Sequence, residues 1–361
     1  MLGEQGYATG GFVSGVPLAE QSNFNLGFQT YDDTGRDGKR LIPKRRGDET
    51  ITRALRWVRG LSPDRSMLLF VHLFETHNPY WTPADLTLPF EVDADLDAHL
   101  KAMGVADVEI ADTTPVDILL DEHPLKTLAA AVNAYDNQVY LADHLVHRLL
   151  RELEAAGRLR DALVILTSDH GEGLGEHGLY SHGMHLYEEQ IHIPLIAIRY
   201  GASWPAERVR RAVSILDIMP TVLDEAGIAA PKHIMGRSLS AAPSDERWLL
   251  MQRREFDQTN RKRRGAQFAP ADPLRALRGD DRYKYLLTGD LHSPVVEELY
   301  DLESDPHEWR NIIDQQPQIA RRLRTILTLR VEDYEAKAVE SGGRQADAET
   351  EAAMKALGYA P

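Results

Sequence analysis

The chain has 361 residues, 43% of them hydrophobic and 27% charged, an ordinary globular composition with room for one large α/β domain and a smaller one. A net charge of -15 argues against a general nucleic-acid binder, which needs a basic face, and no run is long enough to span a bilayer. Cysteine is absent, which excludes disulfides, thiolate zinc sites and a cysteine nucleophile within these residues.

Leu2–Gly6 reads as the last turn of a helix and Tyr7–Ser14 as a strand. The first residues lack the basic start and apolar core of a signal peptide, so the chain as written is expected in the cytoplasm. Gly47–Gly60 reads as a helix with Ile51, Leu55 and Val58 on one face. Met67–Phe74 reads as a buried strand, ending in Glu75-Thr76-His77-Asn78-Pro79-Tyr80. Ligands in open α/β sheets sit beyond the carboxyl ends of strands, so His77 is a candidate anion contact through a donor imidazole. His72 points to the other side of that strand and reads as structural. Trp81–His123 is long, acidic and weakly periodic, and reads as an insertion over the site, a lid or a partly mobile stretch. Pro124–Ala156 reads as a helix packed on a sheet, its apolar stripe running through Leu128, Val132, Tyr135, Val139, Ala142, Val146, Leu149 and Leu153. Gly157 ends it.

Ala162–Leu166 is a short apolar run that reads as a buried strand of a parallel sheet. Thr167-Ser168-Asp169-His170-Gly171-Glu172 then breaks the pattern abruptly. Asp169 and His170, placed there, can put a carboxylate oxygen and an imidazole nitrogen on one metal ion. Glycines at 171, 173 and 175 let the backbone turn tightly, and histidines recur at 177, 182, 185 and 192. Ile193–Ile198 is a further strand. Val213–Gly227 leads into a helix, and Gly236-Arg237-Ser238-Leu239 marks its end. Trp248–Met251 and Arg275–Leu287 read as strands, with a hairpin near Gly279-Asp280-Asp281. A helix follows at about Pro317–Lys337. The basic run Arg261-Lys262-Arg263-Arg264 reads as solvated, or as facing an anionic substrate.

The run L-V-I-L-T-S-D-H-G-E-x-L-G-E-H-G, followed by S-H-G-x-x-L-Y-E-E and I-P-L-I, resembles the second half of a sulfatase catalytic domain. E-Q-G-Y-A-T-G-G-F-V-S-G, F-V-H-L-F-E-T-H-N-P-Y, V-S-I-L-D-I-M-P-T and E-L-Y-D-L-x-x-D-P match the same family in order, from about Gly6 to about Asn311. The resemblance implies an α/β fold: an alkaline-phosphatase-like, mostly parallel sheet flanked by helices, with a small C-terminal antiparallel subdomain. It divides the chain into a catalytic part, 1–240, and a C-terminal part, 241–361. It implies a metal-dependent sulfuric ester hydrolase that takes a small anionic ester and one divalent metal ion, calcium by family, with manganese or zinc as alternatives. By the same resemblance Asp169 and His170 are half of the metal site, while His77 and His182 are substrate contacts converging on one cleft. His177 and His185 are second-rank candidates.

The family also carries an early Asp-Asp pair and a Cys/Ser-x-Pro-x-Arg nucleophile motif, and neither is found. Asp32-Asp33 falls in a part resembling a downstream loop, and Ser62-Pro63-Asp64-Arg65 has its proline one place too early. The chain therefore reads as a sulfatase lacking the N-terminal part of its catalytic domain. It is expected to show little activity alone and to associate, either as an oligomer or with a complementing segment. Two other readings stand beside this one. A phosphonate or phosphodiester hydrolase or phosphoethanolamine transferase of the same superfamily is the first, since His182 stands where many sulfatases have lysine. A non-catalytic binding protein on this fold is the second.

Overall fold

The computed structural model describes residues 1–35, 45–78, 80, 83, 86–90, 98, 128–178, 180–201, 206–232, 234–241, 247–253, 272–279 and 282–337. Most of the insertion expected over 81–123, and the basic run 261–264, lie outside the described residues. The chain forms two compact units, the first over Met1–Ala162 and the second over Leu163–Glu340.

The first unit is built on a parallel sheet. Strand β1 (Ala8–Val13) lies between β2 (Thr30–Asp32) and β3 (Met67–His72), all parallel. Helix α1 (Gly47–Gly60) buries Ile51, Ala54, Leu55 and Val58, the face its apolar spacing predicts. Gly10 has no side chain because Trp57 occupies the space, where a Cβ would meet the indole at 2.8 Å. Arg45, fully buried, ties the sheet edge together. It donates to the Val13 carbonyl at 2.8 Å, to Asp32 Oδ1 at 2.8 Å and to Thr50 Oγ1 at 2.9 Å. Burial pushes the Asp32 carboxyl up, but hydrogen bonds from Arg45 and Thr34 outweigh it and hold the group below its ordinary value. Asp32 is thus paired with two arginines, Arg45 and Arg53.

Helix α2 (Leu128–Ala155) corrects one expectation. Val139, placed on the apolar stripe by spacing, is 45% exposed. Leu153 of the expected stripe is buried, together with Asn133, Asn137, Leu141 and Leu145 outside it. The Asn137 amide brackets Phe90, accepting from its N–H at 3.1 Å and donating to its carbonyl at 2.9 Å. Leu145 fills the space beside Gly47, where a Cβ would meet it at 2.8 Å.

The second unit begins with β4 (Leu163–Thr167) and continues through β5 (Gly173–Leu174), β6 (Tyr180–Ser181), the short helix α3 (Glu188–Ile191) and β7 (Leu195–Arg199). Here the parallel expectation for 162–166 is corrected. Strand β4 pairs antiparallel with β7, with Val164 opposite Ile198 and Leu166 opposite Ile196. An apolar run reports burial and not the direction of its partner. Nor is the burial complete: Leu166, Ile196 and Ile198 share one face of this ribbon and are 39%, 50% and 40% exposed.

Beyond α4 (Ile218–Glu225) the chain forms an antiparallel sheet of β8 (Trp248–Gln252), β9 (Leu274–Gly279), β10 (Tyr283–Gly289) and β11 (Pro294–Asp301). Helix α5 (Pro317–Lys337) covers one face with Leu323, Leu327 and Val331 against Leu277, Tyr285, Leu287 and Leu299. The other face holds Leu274, Ala276, Leu286 and Tyr300 against Leu186, Tyr187 and Ile191. The histidine-rich loop is therefore clamped to this sheet. A buried ion cluster reinforces the clamp. Lys284 Nζ, with no exposed side-chain surface, lies 3.1 Å from Glu188 Oε1 and 2.8 Å from Glu308 Oε1. Arg278 adds a contact to Glu188 Oε2 at 2.7 Å. Among the described residues no helix is long and apolar enough to cross a membrane.

Replacing Lys284 with Met should destabilise the second unit by about 3 kcal/mol, because two buried carboxylates lose their shared cation. Burial pushes the Glu308 carboxyl up to about 6 against the pull of Lys284. The stabilisation that this raised value provides is present at acid pH and lost as pH rises through about 6. Urea melts of the variant should accordingly show the deficit shrinking toward about pH 5, where Glu308 takes up a proton. A deficit that grows on acidification would contradict this account.

Candidate active site

Two loops carry the candidate residues, one in each unit. In the first unit, the loop after β3 is fixed by Glu75. Its buried carboxylate accepts from the Gly47 N–H at 2.6 Å and from the Phe74 N–H at 3.1 Å. Glu75 therefore caps the positive end of α1, a role sequence reasoning missed. The cap holds His77 in place two residues on. The His77 ring stacks on Phe74 at 4.4 Å, and its Nδ1 contacts the Asn78 carbonyl.

The second loop begins where β4 stops. Asp169 and His170 follow the carboxyl end of that strand, as the break in polarity predicts. The Asp169 side chain is 72% exposed and that of His170 31%, so both are open to a solvated ion. The His170 N–H donates to Asp169 Oδ1 at 3.1 Å. The imidazole Nδ1 lies 2.9 Å from the Gly171 carbonyl oxygen. A carbonyl accepts only, so Nδ1 carries a proton, and in the neutral ring Nε2 then keeps its lone pair, the tautomer that ligates metals. That Nε2 lies 3.6 Å from Asp169 Oδ2. Donors at metal-ligand distance from one shared cation lie about 3 to 3.6 Å apart, so the pair fits as two positions of a coordination shell. Among the described residues no group of three or more His, Asp or Glu side chains is assembled to hold a metal ion.

His182 stands beside this pair. Its ring stacks on His170 with centroids 4.2 Å apart and planes 28° apart. Its Nδ1 lies 3.1 Å from Glu172 Oε2 and 3.2 Å from Oε1. Glu172 was not singled out from the sequence, although its place two residues after His170 was the available signal.

His177 and His185 serve the loop itself. His177 has a left-handed backbone, with φ of 54°, and its ring stacks on Tyr187 at 3.9 Å and on Trp309 at 5.0 Å. Nδ1 meets Glu189 Oε1 at 3.1 Å and Nε2 meets the Glu308 carbonyl at 3.1 Å. Burial lowers its pKa, but the Glu189 carboxylate and the Glu308 carbonyl outweigh that and raise it above the ordinary 6.5. His185 goes the other way. Burial, helped by the Arg253 charge, pushes it down to about 4.

Comparison with known proteins follows this geometry. The sulfatase family model matches residues 1–228, and one described as N-sulphoglucosamine sulphohydrolase, C-terminal, matches residues 175–336. Arylsulfatase K of Xenopus laevis is 31% identical over 203 residues, covering 52% of this chain and 35% of that protein. The multifunctional alkaline phosphatase superfamily protein PehA of Trinickia caryophylli is 27% identical over 303 residues, covering 75% of this chain and 56% of its own. The chain thus spans less than two thirds of the length of either relative. A solved structure of a protein bound to its substrate D-glucosamine-2-N,6-O-disulfate superposes with a TM-score of 0.65 at 20% identity, covering 96% of this chain and 83% of the other. The phosphonate monoester hydrolase of Agrobacterium radiobacter gives 0.62 at 19% identity, covering 92% and 79%. At these identities the structures establish a shared alkaline-phosphatase-like α/β fold.

The raised pKa of His177 makes a pH-dependent contribution to stability. It is fully present below the unfolded value of 6.5 and lost as pH rises through the folded value. Asn tolerates a left-handed backbone, so His177→Asn removes the ring and its ion pair without straining the turn. Thermal melts should show a larger loss at about pH 5.5 than at about pH 9. Equal losses at the two pH values would show that the ion pair contributes nothing.

Proposed function

We propose that this chain, which belongs to the sulfatase family, hydrolyses sulfuric esters at a divalent-cation site that includes Asp169 and His170. One observation carries the reading: the 3.6 Å separation between Asp169 Oδ2 and a His170 Nε2 whose lone pair is kept by the bond from Nδ1 to Gly171. A bound divalent cation would supply Lewis-acid pull on the ester oxygens. Asp169 and His170 would hold it, with calcium the first candidate and manganese and zinc next. His182 would meet an oxygen of the anionic group. The solved neighbour bound to a glucosamine disulfate supports a small sulfated substrate.

Two donors are fewer than a hard divalent cation takes, and the chain has no cysteine to supply a nucleophile by oxidation. We therefore propose that groups beyond Asp169 and His170 complete the site, brought by a complementing segment. The exposed apolar face of Leu166, Ile196 and Ile198 supports such cover.

The test is turnover of aryl sulfate and aryl phosphate esters by the 361-residue chain with calcium, manganese or zinc. The chain alone should fall several orders of magnitude below an intact enzyme, the usual cost of lacking a nucleophile. A segment bearing the nucleophile and further carboxylates, added in trans, should restore cleavage of sulfate ahead of phosphate esters. Enzyme-like rates from the chain alone would overturn the incomplete-site account. A preference for phosphorus esters would favour a phosphonate or phosphodiester hydrolase. Stoichiometric metal binding without turnover in either state would favour a binding protein.

A further inference from the structure

His170 and His182 lie ring on ring, yet each is held from behind by a different acceptor. His170 Nδ1 meets a backbone carbonyl, that of Gly171. His182 Nδ1 meets a carboxylate, with both Glu172 oxygens in reach at 3.1 and 3.2 Å. The pair is shielded from water, the side chains being 13% exposed for His182 and 10% for Glu172. Shielding strengthens the bond and limits competition from solvent. An ionised carboxylate can only accept, so it requires the proton of His182 on Nδ1. In the neutral ring this leaves Nε2 as an acceptor.

We infer that Glu172 is a positioning residue for His182: it selects the Nδ1–H tautomer and aims the ring, so that Nε2 is the nitrogen left for the substrate. The inference rests on reading His182 as an anion contact. Glu172 acts through His182. It acts as the carboxylates behind metal-bound histidines act, whose removal costs about tenfold or more in affinity or activity. Glu172 follows Gly171, which is pinned by its neighbour's backbone, so carboxylate and imidazole meet without a flexible tether.

The experiment is nitrogen NMR of the full chain labelled at histidine, comparing the parent with Glu172→Leu and Glu172→Gln. The parent should show His182 protonated at Nδ1. Glu172→Leu should move the ring to the Nε2–H tautomer, while Glu172→Gln, which keeps an acceptor oxygen, should retain Nδ1–H. Titration with inorganic sulfate should perturb the His182 resonances of the parent, with affinity weakened by about tenfold in Glu172→Leu. An unchanged His182 tautomer in a folded Glu172→Leu chain would overturn the inference. If Glu172→Leu does not fold, an Nε2–H tautomer in the parent or in Glu172→Gln would overturn it equally. A tautomer shift as expected, with no response of His182 to sulfate, would support the coupling and overturn only the anion-contact reading on which it rests.

Discussion

A backbone contact at Gly171 constrains everything around it. Its N–H donates to the Gln190 carbonyl at 2.8 Å, and a Cβ there would lie 2.1 Å from the Glu189 carbonyl oxygen. No side chain fits in that gap. The segment leaving β4 is therefore fastened to the segment approaching β7. Thr167 Oγ1 adds a bond to the Pro194 carbonyl at 2.9 Å. Between these fastened ends lie Glu172, His177, His182 and His185. A loop closed at both ends loses little further entropy when its side chains settle into one arrangement.

The same loop is anchored a second time, to the antiparallel sheet. Lys284 and Arg278 hold Glu188, and the Tyr187 hydroxyl donates to Glu298 at 3.1 Å. His177 sits between Tyr187 and Trp309 as the packing element of this anchor. The division of labour among the histidines follows. His177, enclosed by Tyr187, Trp309 and Glu189, holds the loop, whereas His170 lies beside the exposed Asp169 carboxylate.

Much of this was legible in residue order. Helix α1 spans the residues its spacing predicts and helix α5 begins at Pro317 as expected, because each has one apolar face that packs. Asp169 and His170 stand where an apolar run ends in polar residues, a signal that depends only on local composition. Other features depend on what lies across space. The direction of the partner of β4 is not encoded in β4, and Asn137 and Leu145 of α2 meet groups remote in the chain. Glu172 and Glu75 were overlooked for a related reason. A carboxylate in a loop reads as solvated until an imidazole or a helix end is found within 3.2 Å of it.

The central claim is that Asp169 and His170 form part of a divalent-cation site, with His182 beside it. Manganese is paramagnetic and broadens only nearby resonances, so titrating it into the histidine-labelled chain tests this claim directly. The account predicts that the ring signals of His170 and His182 broaden first, at manganese levels that leave exposed His292 sharp. Broadening that spreads evenly over exposed histidines, or that spares His170, would contradict it.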